Sequence, residues 1–277
     1  MSDTLIDRAD GVVTVTFNRP ARKNALNAAN WADLDRVVRE VARNPGDRAL
    51  VLTGAGDDFS AGAELGGQAT GGGGPGGEIP NEPAQSSLTG QERQGIVHEM
   101  RVVGEILRNL QRLPKPTLAV VDGVCVGVSL GVALACDLVM ASDRARFSAI
   151  FVRRGLALDG GTSWSLPRAV GLRRAKQMAF FGDMVSAADA LTWGLINEVV
   201  PAGELPKAGR EWGRRLADAP TTAISLIKRQ LDDSSLLTFE QAVEVEAQAQ
   251  HITYTTSDVR EGIAAFLERR APRFSGQ

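Results

Sequence analysis

Apolar positions alternate near the start of the chain: Val13, Val15 and Phe17 share one side of the run Val12 to Phe17, the spacing of a strand with one buried face. A second run, Thr4 to Arg8, precedes it across Asp10-Gly11, a pair suited to a tight hairpin turn. The period then changes. Trp31, Leu34, Val37, Val38 and Val41 recur at helical spacing behind Asn27, an N-cap residue, and Pro45-Gly46 closes the helix. The buried-strand run Ala49 to Leu52 follows at once, so the chain opens as a βαβ unit and predicts a partly parallel sheet flanked by helices.

Further on, Gly66 to Gly77 is almost all glycine and polar residues continue to about Gln94, which predicts a mobile loop. A helix resumes with Ile96, Met100, Val103, Leu107 and Leu110 on one side, and Pro114-Lys115-Pro116 breaks it. The continuous apolar run Thr117 to Val121 is the pattern of a strand buried on both faces. A small-residue helix, Ser129 to Cys136, leads to a strand near Leu138 to Ala141. From Gly171 onward the pattern is mainly helical, with Ser186 to Asp189 resembling a capping box and Ile196 to Val200 a short strand. The expected division is an α/β core over residues 1–200 and a helical region over 201–277 that covers the site or meets another subunit.

Composition removes several function classes. Apolar residues make up 43% and charged residues 23% of the 277, the balance of a soluble globular protein. No apolar run reaches the roughly 20 residues of a membrane span. Neither a secretory nor a transit segment is readable at the N-terminus, so a cytoplasmic location is expected. Cys125 and Cys136 fit neither a disulfide framework nor a metal site and read as buried thiols, while His98 and His251 give a Ser-His-Asp triad or a histidine metal site little material. A net charge of −2 gives no general attraction to nucleic acid.

Two segments leave strands in tight turns: Phe59-Ser60-Ala61-Gly62-Ala63-Glu64-Leu65 and Asp122-Gly123-Val124-Cys125-Val126-Gly127-Val128. Such turns present unpaired N–H groups that can stabilise a developing oxyanion; each alone reads better as a plain turn with glycine for clearance. Together with Asn18-Arg19-Pro20, Asn24-Ala25-Leu26, Lys115-Pro116 through Cys136-Asp137, Gly155 to Arg168, Trp193-Gly194-Leu195-Ile196-Asn197 and the tail Glu261-Gly262 to Phe274, in that order, they resemble the enoyl-CoA hydratase/isomerase (crotonase) superfamily over nearly the whole chain. The resemblance implies an α/β spiral of ββα turns with a C-terminal helical region, a homotrimer or dimer of trimers, and an acyl-CoA substrate whose coenzyme A is part of the substrate, with no separate cofactor. It implies oxyanion donors at the backbone N–H groups of Ala63 and Val128, the latter at a position where the family usually has glycine. It places the substrate against Arg22, Lys23, Ala25, Leu26, Ala61, Glu64, Leu65, Gly127 and Phe151, with a neighbour's Arg269 or Arg270 as further contacts to the nucleotide.

The same alignment shows departures. Hydratases of the family hold a water between two glutamates; those positions are Gly131 and Phe151 here, and neither moves a proton. Asp159 stands where dienoyl-CoA isomerases, the ring-epoxide isomerase of phenylacetyl-CoA breakdown and chlorobenzoyl-CoA dehalogenase keep a catalytic aspartate. The other reading of Asp159 is a cap for the helix Thr162 to Val170. A single carboxylate suffices to take a proton from one carbon of a thioester and return it to another, so the resemblance points to isomerisation with Asp159 as acid/base. The alternatives are a hydratase using other acids and a CoA- or RNA-binding relative without turnover. Dehalogenation requires a histidine near Gly104, and His98 lies six residues before it on a different helix face.

Overall fold

A computed structural model describes residues 2–64 and 90–277. The hairpin of β1 (Thr4–Ala9) and β2 (Val12–Phe17) pairs antiparallel with Ala9 opposite Val12. Asp10 and Gly11 both take positive φ, 51° and 79°, the combination whose twist matches the flanking strands. Asn27 caps α1 (Ala28–Arg43) in a reciprocal box with Asn30, and the predicted stripe of Leu34, Val37, Val38 and Val41 is buried. The helix returns the chain to β3 (Ala49–Gly54), parallel to β2.

The description resumes at α2 (Gly90–Gln111). Its predicted stripe is buried only at the C-terminal end: Leu107 and Leu110 are 4% and 0% exposed, Ile96 and Met100 46% and 45%. Next come β4 (Thr117–Val121), buried at every residue as its apolar run requires, β5 (Val124–Val126), α3 (Val128–Leu134), β6 (Leu138–Ser142), β7 (Arg146–Ser148) and a 3-10 turn at Ile150–Arg154. Beyond it lie α4 (Thr162–Val170), α5 (Leu172–Phe181), β8 (Val185–Ser186), α6 (Ala187–Trp193), β9 (Glu198–Val200), α7 (Leu205–Ala217), α8 (Thr221–Asp233), α9 (Phe239–Tyr254) and α10 (Ser257–Glu268).

The main sheet runs β1-β2-β3-β4-β6-β9, parallel throughout after the opening hairpin. One face packs on α1 and the end of α2; α7 covers the other, bringing Leu205, Trp212 and Leu216 onto Val51, Leu118, Val120 and Met140. A second sheet, β5-β7-β8, stands apart. It corrects the sequence reading, which took Asp122 to Val128 as a bare turn. Strands of three, three and two residues carry too little periodicity to be read.

The C-terminal segment folds back onto the core. The Arg48 guanidinium donates to the Phe274 carbonyl at 2.9 Å, the Ala219 carbonyl at 2.7 Å and Thr221 Oγ1 at 3.1 Å. Buried Asp258 accepts from the N–H groups of Ser275 and Gly276 at 2.7 and 2.8 Å. Arg270 is held by Glu261 at 2.6 Å and Glu268 at 2.6 Å. That pairing holds the Glu261 carboxyl down at about 2.

Candidate active site

The segment Ser60 to Glu64 lies between two others. On one side the N–H of Ala61 donates to the Lys23 carbonyl, Leu26 N–H to the Gly62 carbonyl and Glu64 N–H to the Leu26 carbonyl, at 2.8 to 2.9 Å. This makes Leu26 and Ala63 a parallel bridge. In such a bridge the bonds come from the residues flanking Ala63, so the Ala63 N–H is left facing away from that partner. On the other side Ser60 bridges Cys125 in β5: its N–H donates to the Val124 carbonyl at 2.9 Å and its carbonyl accepts from Val126 at 3.3 Å.

Beyond the Ser60–Cys125 bridge the two segments stay in contact at Gly62 and Gly127, the residues just before Ala63 and Val128. The glycines approach closely: a Cβ added to Gly62 would lie 2.8 Å from the Val126 carbonyl oxygen and 3.8 Å from the Gly127 Cα. Both have positive φ, 92° and 62°, so a side chain at either is strained, and at Gly62 it also meets a backbone wall. The positive φ falls on Gly127, and Val128 is the first residue of α3 in ordinary helical conformation. Valine is therefore tolerated where the family usually has glycine. As the opening residue of α3, Val128 has an N–H with no acceptor inside the helix. Among the described residues, neither the Ala63 nor the Val128 N–H donates a hydrogen bond.

Ser129 joins the two segments. Its hydroxyl accepts from Val126 N–H at 2.9 Å and lies 2.8 Å from the carbonyls of both Ser60 and Val126. Nothing in the sequence distinguishes this serine from its small neighbours. Asn24 and Asp58 brace the outer side: Asn24 Nδ2 donates to the Ala55 and Asp58 carbonyls, and Asp58 Oδ1 accepts from Val124 N–H at 2.9 Å. Ser129→Ala leaves the buried Val126 N–H with only its longer bond to the Ser60 carbonyl at 3.3 Å, and the expected cost is about 0.5 to 1.5 kcal/mol. A thermal melt unchanged from the parent would show that the hydroxyl contributes nothing.

Asp159 lies in the loop before α4. That helix is capped by Gly161 at φ 72°, with no side-chain bond, and the Thr162 N–H donates to the Asp159 backbone carbonyl. The carboxylate is not a helix cap. Its Oδ1 is buried and has no hydrogen-bond partner among the described residues, and burial pushes the acid above its ordinary value of 3.8. The next residue, Gly160, rests on α3: a Cβ there would lie 2.9 Å from Val128 Cγ2, and one at Gly131 would lie 2.3 Å from the Gly160 carbonyl oxygen. Asp159 is thus one residue from a direct contact with Val128.

The other expected contacts are dispersed around this centre. Arg22 and Lys23 are exposed on the rim, with Lys23 Nζ 3.6 Å from Asp58. Ala25 is half-buried and Leu26 sits in the core at 2% exposure. Glu64 pairs with Arg19 at 2.8 Å, and Arg19 also donates to the Ala25 carbonyl, so the Glu64 side chain clamps the rim. Phe151 is buried at 6% and packs with Phe147 in the core. Leu65 and the glycine-rich stretch lie outside the described residues. Among the described residues no cluster of His, Cys, Asp and Glu could hold a metal, and no helix is long and apolar enough to cross a membrane.

The fold is a mainly parallel sheet with a small second sheet and a helical C-terminal region, an α/β architecture. Residues 7–277 match the family model for enoyl-CoA hydratase/isomerase, and the chain belongs to that family. Among similar proteins, 1,2-epoxyphenylacetyl-CoA isomerase of Escherichia coli is 34% identical over 267 residues, covering 96% of each chain. The 4-chlorobenzoyl coenzyme A dehalogenase-2 of an Arthrobacter species is 32% identical over 88% of this chain and 82% of its own. The crystal structure of enoyl-CoA hydratase from Bacillus anthracis superposes with a TM-score of 0.85 at 26% identity, covering 99% of this chain and all of that one.

Proposed function

We propose that this chain is an acyl-CoA isomerase that moves a proton between two carbons of an enolisable thioester. The observation that carries the reading is the half-buried Asp159 carboxylate, whose buried Oδ1 has no hydrogen-bond partner among the described residues, in a loop seated on Val128. The N–H groups of Ala63 and Val128 receive the thioester oxygen. With a 3-enoyl thioester, Asp159 removes a proton from the α-carbon, the electron pair spreads onto that oxygen, and the donors stabilise the dienolate. Asp159 then returns the same proton to the γ-carbon, leaving the double bond between the α- and β-carbons. Coenzyme A enters and leaves as part of the substrate, with Arg22 and Lys23 at its nucleotide end. Hydration by paired carboxylates has no second acid at Gly131 or Phe151. The resemblance to a ring-epoxide isomerase supports this reading.

A panel of 2-enoyl, 3-enoyl and phenylacetyl-derived epoxide thioesters, with an RNA gel shift alongside, tests it. Double-bond migration or epoxide isomerisation is the expected result. Hydration of 2-enoyl-CoA alone would make the chain a hydratase using other acids, and binding without turnover would make it a carrier.

We also propose a homotrimer or dimer of trimers. Phe239, Phe266 and Leu267 are 80%, 82% and 74% exposed on the single chain, and Phe180 and Phe181 65% and 62%, more apolar surface than a free subunit ordinarily leaves wet. Phe266→Lys should lower the mass seen by light scattering. A full-length parent that runs as a monomer contradicts the assembly.

A further inference from the structure

Resting on that reading, we infer that Gly131 is a positioning residue: its missing side chain is the space that seats the Gly160 carbonyl and so fixes the loop carrying Asp159. Val128 and Gly131 are three apart on α3 and therefore share a face, and Gly160 lies on both. A Cβ at Gly131 would meet the Gly160 carbonyl oxygen at 2.3 Å, its carbon at 3.0 Å and its Cα at 3.2 Å. Gly160 also borders Leu107 of α2, 3.5 Å from where its Cβ would lie. A cleft of about 720 Å³ opens there between the ends of α2 and α8, reaching Gly131, Gly160 and Gly161, and a Cβ at Gly161 would meet nothing within 4 Å.

The absence of a carboxylate at position 131 thus has a positive use. In this chain a glutamate side chain at 131 and the present Gly160 backbone cannot occupy the same volume, so a side chain there requires Gly160 to move.

The cleft also makes the test tractable. A methyl group at position 131 displaces Gly160 by roughly 1 Å, and the cleft bordering the loop leaves room for the chain to fold while Asp159 shifts, a displacement that costs on the order of a hundredfold in rate. Gly131→Ala should lower kcat by about 10- to 100-fold on whichever thioester the parent isomerises, with KM within about twofold. The acid limb of its pH profile should drop toward the ordinary carboxylate range as the loop opens to water. Val128→Ala removes the methyl under Gly160 and keeps the donor amide; it should shift the same limb in the same direction with a smaller loss, and it carries the test if Gly131→Ala does not fold. Gly131→Glu should lose isomerisation without gaining hydration. Parental kcat and pH limb in both alanine variants, or hydration gained by Gly131→Glu with isomerisation intact, overturns the inference. Asp159→Asn separates the two ideas: if it is inactive while the alanine variants behave as the parent, only the positioning role falls, and if it is fully active the acid/base reading falls first.

Discussion

Asp159→Asn should bind acyl-CoA as tightly as the parent and turn it over at least about a hundredfold more slowly, the scale for removing a positioned acid/base. Binding survives because the amide is nearly isosteric and the two N–H donors come from other segments. Turnover does not, because an amide neither takes nor returns a proton at the required step. The parent should also show a characteristic pH profile. The base works only when ionised, and burial raises its pKa, so activity should fall as pH drops through a value above 3.8 and be full on the alkaline side. Exchange of the α-proton with deuterium oxide should vanish with the carboxylate. If the variant isomerises and exchanges like the parent, proton transfer belongs to another group.

Arg48→Met should lower the melting temperature by roughly 6 to 12 °C. Three hydrogen bonds from one guanidinium hold the C-terminal segment, at Phe274, and the start of α8, at Ala219 and Thr221, against the sheet. Bonds to a charged donor contribute about 1.5 to 3 kcal/mol each and do not add fully, so a loss of about 3 kcal/mol or more is expected; at this size each kcal/mol moves the melt by about 2 to 4 °C. Methionine keeps the aliphatic volume, which isolates the polar contribution. The amides of Ser275 and Gly276, held by Asp258, should exchange faster in the variant. A melt within about 2 °C of the parent would mean the segment is held by Asp258 and packing alone.

Local signals made much of this fold legible. Asn27 could be read as a cap because its side chain acts within one turn, and Thr117 to Val121 as a doubly buried strand because burial there depends on no single partner. β5, β7 and β8 could not, since their few residues are strands only through bonds to distant segments such as Ser60 and Gly123. Asp159 stood out by its resemblance. Its environment did not: Gly161 takes over the capping of α4, and that depends on a backbone angle the sequence does not display. Ser129 and the seat of Gly160 on Gly131 were hidden for the same reason, one being a serine among small residues and the other an atom that is not there.

Cys125 lies in β5, directly bridged to Ser60, with 0% exposure. Burial pushes its thiol far up and that of Cys136 up to about 12. Because the thiolate is the reactive form, the buried Cys125 sulfur should react slowly while β5 stays paired to Ser60. Alkylation of Cys125 therefore keeps time on the parting of the two donor segments, and the natural sequence carries its own stopwatch for how often that cradle comes apart.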